Sequence, residues 1–293
     1  MNMLSKVVIP VAGLGTRVLP ASKAIPKEML SVVDKPVIQH VVDEAVAAGF
    51  TQIILVTRSG KSAIEDHFDS HYELEAELDR KGKVALLSSV REILPDGVEV
   101  ISVRQPFAKG LGHAVLCAAA VTGDEDFAVM LPDMLIDSDA AGTDMVAMVE
   151  RYRTGGCGQI MVEAVPQDQV ERYGIVDCGG AAVAAGGGAR VQGMIEKPAR
   201  EEAPSNLAIV GRYILPARVM SLLQDTQPGA GGEIQLTDAL VRLTEEAPLE
   251  AYSMTGNLYD CGNKAGLLQA NVAFGLKHPE TAEALKAFLA RMY

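Results

Sequence analysis

The chain has 293 residues, which suits one large α/β domain or two small ones. Hydrophobic residues make up 48% and aromatics 4%, with no Trp, which excludes a disordered chain and leaves the core to Val, Leu, Ile, Ala and Met. The formal net charge of −12 excludes a phosphate-tracking nucleic-acid binder, which would be basic, and any phosphate site here must gather its cations locally.

Residues 6–12 (KVVIPVA) are short and apolar and run into glycine, which predicts a buried strand. A long Gly- and Pro-rich loop follows. Pro36 suits a first helical position, and residues 37–48 carry a helical pattern that stops at Gly49. Residues 51–57 (TQIILVT) predict a second buried strand and the charged stretch 61–80 a helix. A third strand over 98–103, a helix over 114–120 and a fourth strand over 127–131 follow. This alternation predicts a mostly parallel sheet covered on both faces.

Beyond Gly158 the rhythm changes to shorter strands with glycine-rich turns, at 159–165, 173–177, 190–196 and 207–215. The Ala- and Gly-rich stretch 179–188 reads as a turn between strands. Helices are predicted over 216–223 and 233–243, a strand over 250–255, and a largely helical end over 264–293. No apolar run reaches the roughly 18–20 residues of a membrane span, and residues 1–6 lack the pattern of a signal peptide. The cysteines, Cys117, Cys157, Cys178 and Cys261, are scattered without a Cys-x-x-Cys pair, so reduced thiols and a cytoplasmic location are expected. His67 and His71 stand four apart on a predicted helix, but no third ligand accompanies them, and a solvated helix face is expected.

Residues 11–30 read VAGLGTRVLPASKAIPKEML. Gly13 and Gly15 directly follow the first strand, where ligands bind in open parallel sheets. Glycines there let backbone N–H groups approach phosphates. A dinucleotide-binding loop would need a third glycine where Val18 stands, and a P-loop would need Gly-Lys-Ser/Thr. Neither is present. The glycines alone would be ordinary turn residues, but with Arg17, Lys23 and Lys27 beside them phosphate binding is the better reading.

AGLGTR followed by PKEML is similar to the N-terminal signature of the sugar nucleotidylyltransferases, in the form found where UTP meets glucose 1-phosphate. FAKGLGHAVLCA (107–118), FAVMLPDMLID (127–137), ERYGIVD (171–177), IEKP (195–198), GAGGEIQLTDAL (229–240) and YDCGNKAG (259–266) extend the resemblance, in order, over nearly the whole chain. It implies an α/β fold with a Rossmann-like, mostly parallel but mixed central sheet flanked by helices. It also implies a single domain with a nucleotide-binding half (1–158), a sugar-phosphate-binding half (159–263) and a C-terminal helical region (264–293) as a possible interface of a homodimer or homotetramer.

The implied reaction is attack by glucose 1-phosphate on the α-phosphorus of UTP, assisted by Mg²⁺, with pyrophosphate leaving. Thymidylyl transfer to the same sugar and a non-catalytic nucleotide-sugar sensor are the alternatives, and an NAD-dependent oxidoreductase is disfavoured by the missing glycine. The resemblance places Asp133 and Asp260 on the metal, although an Asp after a strand more often turns the chain or caps a helix. Arg17 would hold the departing phosphates, Lys27 the reacting ones and Lys197 the sugar phosphate. Ala12, Gly13, Gly15, Glu28, Gln105 and Gly110 would form the nucleotide site, with Gln105 offering the base both a donor and an acceptor. Gly174, Glu196 and Val210 would lie at the sugar.

Overall fold

The computed structural model describes residues 4–138 and 140–292. Met1–Met3 and Tyr293, which the expected N-terminal and C-terminal segments included, lie outside the described residues. The first half runs β1 (Lys6–Pro10), a long loop, the hairpin β2 (Ser31–Val32) and β3 (Lys35–Pro36), α1 (Val37–Ala47) and β4 (Gln52–Thr57). Helices α2 (Ser62–Phe68), α3 (Tyr72–Arg80) and α4 (Val84–Arg91) follow, then β5 (Glu99–Arg104), α5 (Leu111–Cys117), α6 (Ala119–Thr122), β6 (Phe127–Met130), β7 (Met134–Asp137) and α7 (Thr143–Gly155). The second half adds β8 (Gly158–Ala164), β9 (Gly174–Asp177), β10 (Gly188–Arg190), β11 (Gly193–Glu196) and β12 (Leu207–Leu215). It ends with α8 (Arg218–Asp225), α9 (Leu236–Glu246), β13 (Leu249–Ser253), β14 (Asn257–Asp260), α10 (Lys264–Gly275) and α11 (Ala282–Leu289).

The main sheet has the order β10-β13-β8-β12-β6-β1-β4-β5, with β9 on β12 and β11 on β9. Its first-half strands are parallel: β1 pairs with β4 and β6, and β4 with β5. Strand β12 enters antiparallel between β6 and β8, which makes the sheet mixed. The burial explains the composition of β1, β4 and β6. Helices cover both faces, so side chains on either side meet protein, and the strands read as unbroken apolar runs rather than alternating ones. One core layer packs α1 and α7 on the sheet through Val41, Ala45, Met148 and Phe50. The other packs α5, α8 and α9 through Val115, Leu223 and Leu240.

Several expected elements differ. Pro36 ends β3 and precedes α1 as its N-cap rather than opening the helix. The expected helix over 61–80 is two helices, because the chain turns between them and His71 caps α3, its Nδ1 accepting from the Leu74 N–H at 3.2 Å. The expected strand over 190–196 is split into β10 and β11, which pair with different partners. β7 and β14 were not expected, and they form a separate antiparallel ribbon. No helix among the described residues is long and apolar enough to cross a membrane.

Candidate active site

The loop after β1 folds back on itself. Gly15 takes a left-handed conformation, φ 69°, and its carbonyl accepts from Ser22 Oγ at 2.7 Å. A Cβ on Gly15 would lie 3.1 Å from the Lys27 Cβ, and one on Gly13 4.0 Å from the Lys27 Cε. The glycines thus leave room for Lys27 to pass beneath the loop. Its Nζ ends 2.5 Å from Asp133 Oδ2. Arg17 reaches both expected metal ligands, with NH2 3.4 Å from Asp133 Oδ2 and NH1 3.0 Å from Asp260 Oδ2. Arg17, Lys27, Asp133 and Asp260 therefore meet in one cluster.

The β7–β14 ribbon brings the two carboxylates together. Met134 pairs with Asp260 at its end, and the Cys261 N–H donates to the Asp133 carbonyl at 2.8 Å. The Gly262 N–H holds Asp260 Oδ1 at 2.9 Å. A side chain at Gly262 would collide with both carboxylates and with Arg17, so glycine is what keeps this corner open. Two buried charges fix the ribbon from behind. Arg212, 0% exposed, pairs with both Glu44 oxygens at 2.9 and 2.7 Å. It also donates to the carbonyls of Leu131 and Met134, on either side of Asp133, at 3.0 and 2.6 Å. Buried Asp144 accepts from Tyr252 Oη, Thr255 N, Thr255 Oγ1 and Gly256 N within 3.0 Å, which anchors the turn into β14.

Burial would raise the Asp133 pKa, but the Lys27 ammonium and then the Arg17 guanidinium override it and hold the carboxyl below its ordinary value. Asp133 is an anion at neutral pH. Burial, Asp133 and Asp260 push the neighbouring Cys261 thiol up to about 12, which removes it as a nucleophile.

On the other side of the loop lies a cavity of about 360 Å³ lined by Ala12, Arg58, Ser59, Arg104 and Gln105 among others. Gln105 Nε2 donates to the Gly110 carbonyl at 3.1 Å and lies 3.1 Å from His113 Nδ1. Gly110 has φ 92°, and a Cβ there would sit 2.7 Å from the Glu233 Cβ. Glu28 points elsewhere. It is buried, with Oε2 2.7 Å from Lys61 Nζ and Oε1 without a hydrogen-bond partner among the described residues. Burial raises its pKa despite Lys61, and burial lowers that of Lys61.

A third group lies on β9, β11 and α9. Thr237 Oγ1 donates to Glu196 Oε2 at 2.7 Å, and a Cβ on Gly174 would stand 3.1 Å from that same oxygen. Lys197 is 58% exposed, with Nζ 3.3 Å from Glu196 Oε1, and its backbone is left-handed, φ 47°. Tyr173, whose carbonyl accepts from the Lys197 N–H at 3.0 Å, is close enough to Asp260 and Arg17 for their charges to act on its hydroxyl. The side chain of Val210 is fully buried in the core.

The histidine pair is dispersed. His67 Nε2 lies 2.9 Å from Gln39 Oε1, while His71 caps the next helix, so the two do not share a helix face and His67 is half-buried rather than solvated. No group of three or more His, Cys, Asp or Glu side chains among the described residues could hold a metal. Sequence reasoning passed over Gly262, Thr237, His113 and Arg212. Only Gly262 had a readable signal, as a glycine two places after a proposed ligand.

A model of the nucleotidyl transferase family matches residues 6–275. The UTP–glucose-1-phosphate uridylyltransferase of Haemophilus influenzae is 52% identical over 287 residues, covering 97% of this chain and 97% of that protein. The Escherichia coli K12 protein of the same name is 53% identical over 289 residues, covering 98% and 95%. A UTP-bound UGPase structure from Acinetobacter baumannii has a TM-score of 0.93 at 50% identity and covers 99% of this chain and 100% of that one. A UDP-glucose pyrophosphorylase complexed with UDP-glucose has a TM-score of 0.84 at 39% identity, covering 94% and 100%. With the loop, the carboxylate pair and a family match over residues 6–275 in agreement, the chain belongs to the nucleotidyl transferase family.

Proposed function

We propose that this chain transfers a uridylyl group from UTP to α-D-glucose 1-phosphate, giving UDP-glucose and pyrophosphate. The observation that carries the reading is the meeting of Lys27 and Arg17 with Asp133 and Asp260 beneath the glycine loop. Two phosphates at 4 Å repel by about 4 kcal/mol per charge pair at an effective dielectric of 20. A site that joins them must supply fixed cations, and catalysis is then mainly positioning and charge stabilisation.

Ala12, Gly13 and Gly15 supply the backbone on which the triphosphate lies, and the cavity beside Gln105 and Gly110 takes the base. Lys27 orients the reacting phosphates. Arg17, 58% exposed, can leave the carboxylates to meet the departing pyrophosphate. Glu196, held by Thr237, accepts from sugar hydroxyls beside Gly174, and Lys197 takes the sugar phosphate. Glu28 acts through Lys61 by bracing the turn that carries Lys27. Residues 1–158 thus serve mainly the nucleotide and 159–263 the sugar phosphate.

Asp133 and Asp260 fit Mg²⁺, which binds hard oxygens, needs only one or two carboxylates and keeps several waters. Gly262 leaves the space beside them that a Cβ would fill. The metal, when bound there, would neutralise phosphate charge. A cytoplasmic location accords with four free thiols. A homodimer or homotetramer through residues 264–293 accords with the apolar groove of about 530 Å³ where Leu267 and Leu268 of α10 face Leu19 and Leu30.

The test is pyrophosphate release from glucose 1-phosphate with each nucleoside triphosphate, with Mg²⁺ and with a chelator. UTP should support the highest turnover. A thymine methyl is worth only about 1–3 kcal/mol, so dTTP should be a poorer substrate rather than an inert one. Asp133→Asn should abolish the metal-dependent rate, and full activity of that variant would remove Asp133 from the metal site.

A further inference from the structure

Gln105 faces two partners whose chemistry fixes which way its amide points. The Gly110 carbonyl can only accept, so the atom 3.1 Å from it must be the amide nitrogen. The same nitrogen lies 3.1 Å from His113 Nδ1. Both of its hydrogens are therefore taken, provided that Nδ1 is bare and the ring proton sits on Nε2. Oε1 is what Gln105 then offers to the cavity it lines. The sequence expectation gives Gln105 both roles toward the base; in this arrangement its nitrogen is occupied and Oε1 is the atom left for the base.

We propose that His113 is a positioning residue for base selection, resting on the uridylyl-transfer reading above. As a neutral ring it holds the Gln105 amide so that the cavity admits a pyrimidine with an N–H at the ring position facing Oε1, and repels one with a bare nitrogen there. Uracil and thymine carry that N–H at N3. Cytosine carries a lone pair, which would oppose the Oε1 lone pairs.

The surroundings keep His113 in the required form. It stands on α5, whose Gly112, Ala114 and Val115 pack on apolar neighbours including Leu223 and Ile234. The charged group acting on it is Lys109, from the loop before the helix, and the Cys117 thiol, held neutral by burial, lies 4.0 Å from the ring. Burial and then Lys109 both lower the histidine pKa. The bare Nδ1 is thus present above that lowered value and lost as pH falls through it. A protonated ring would set an N–H against the Gln105 N–H, and turning the amide over would set Oε1 against the Gly110 carbonyl. Either outcome weakens the reading of uracil.

The experiment measures kcat/KM for UTP and for CTP with glucose 1-phosphate, between about pH 8 and about pH 5. Taking the ratio cancels the ionisation of the phosphates, which both nucleotides share, and comparing proteins separates His113 from the cytosine ring, which takes up its own proton at N3 near the acid end. In the unmodified protein the UTP:CTP ratio should fall with pH, with the change in KM rather than kcat. His113→Leu should lower the ratio at neutral pH by roughly 10-fold or more. His113→Asn, which can place an oxygen where Nδ1 stands but does not titrate, should keep the neutral ratio and leave only the fall at the acid end that protonation of the cytosine ring at N3 causes. An unchanged ratio in His113→Leu, or a His113→Asn profile that follows the unmodified one, overturns the proposal. Absence of UTP turnover in the unmodified protein would instead overturn the uridylyl-transfer reading.

Discussion

Asp133 and Lys197 are expected to serve the same pair of substrates, yet the chain holds them differently. The Asp133 side chain is 14% exposed, pinned by Lys27 and carried on a ribbon that Arg212 and Asp144 grip from the core. Lys197 is 58% exposed and has one ion-pair partner among the described residues, the adjacent Glu196. Charge that must be in place before the reactants arrive is built into the buried framework. The cation expected to meet and release a sugar phosphate sits on a long side chain in solvent. Preorganisation contributes to rate where it need not be undone in each turnover.

Removing Arg212 should break the comparison most severely. Arg212→Met strands Glu44 in the core, which costs about 3–5 kcal/mol and should appear as a lower denaturant midpoint at unchanged slope. Glu44→Met with Arg212→Met should recover much of that stability, while turnover stays low because nothing then ties the carbonyls beside Asp133. Next in size, Lys27→Ala should lower kcat by about 100- to 1000-fold with little change in KM. A loss confined to KM would show that Lys27 only binds. At the exposed corner, Lys197→Ala should raise KM for glucose 1-phosphate by roughly 10-fold while shifting stability by no more than about 0.5 kcal/mol. A large loss of stability there would erase the distinction between the two corners.

The sheet was readable where burial on both faces wrote it as short apolar runs, as in IILVT and FAVM. The β7–β14 ribbon was not, because MLID and NLYD each end in Asp and NLYD has no buried residue, so no unbroken apolar run marks the pair. Helix α7 went unread although Gly142 and Gly156 bracket it, since its apolar residues form one run, MVAMV, flanked by charges, and not a helical period. The same limit applies to the site. The loop glycines and cations stand together in the sequence, whereas Arg17 and Asp260 are 243 residues apart, and only the resemblance to a family joined them. Arg212 and Asp144 carry no signal in the sequence, because what makes them structural is the set of distant carbonyls and N–H groups they hold. The role of Gln105 was open for a related reason: an amide has two faces until its neighbours are known.

The left-handed backbone at Lys197, φ 47°, has a consequence for any attempt to make this protein hardier. A residue with a Cβ gives up about 1–2 kcal/mol in that conformation, and glycine does not. A search for heat-resistant variants would therefore be drawn to glycine at 197, and would gain its resistance by discarding the cation expected to greet the sugar phosphate. The position marks a place where durability and turnover select opposite residues.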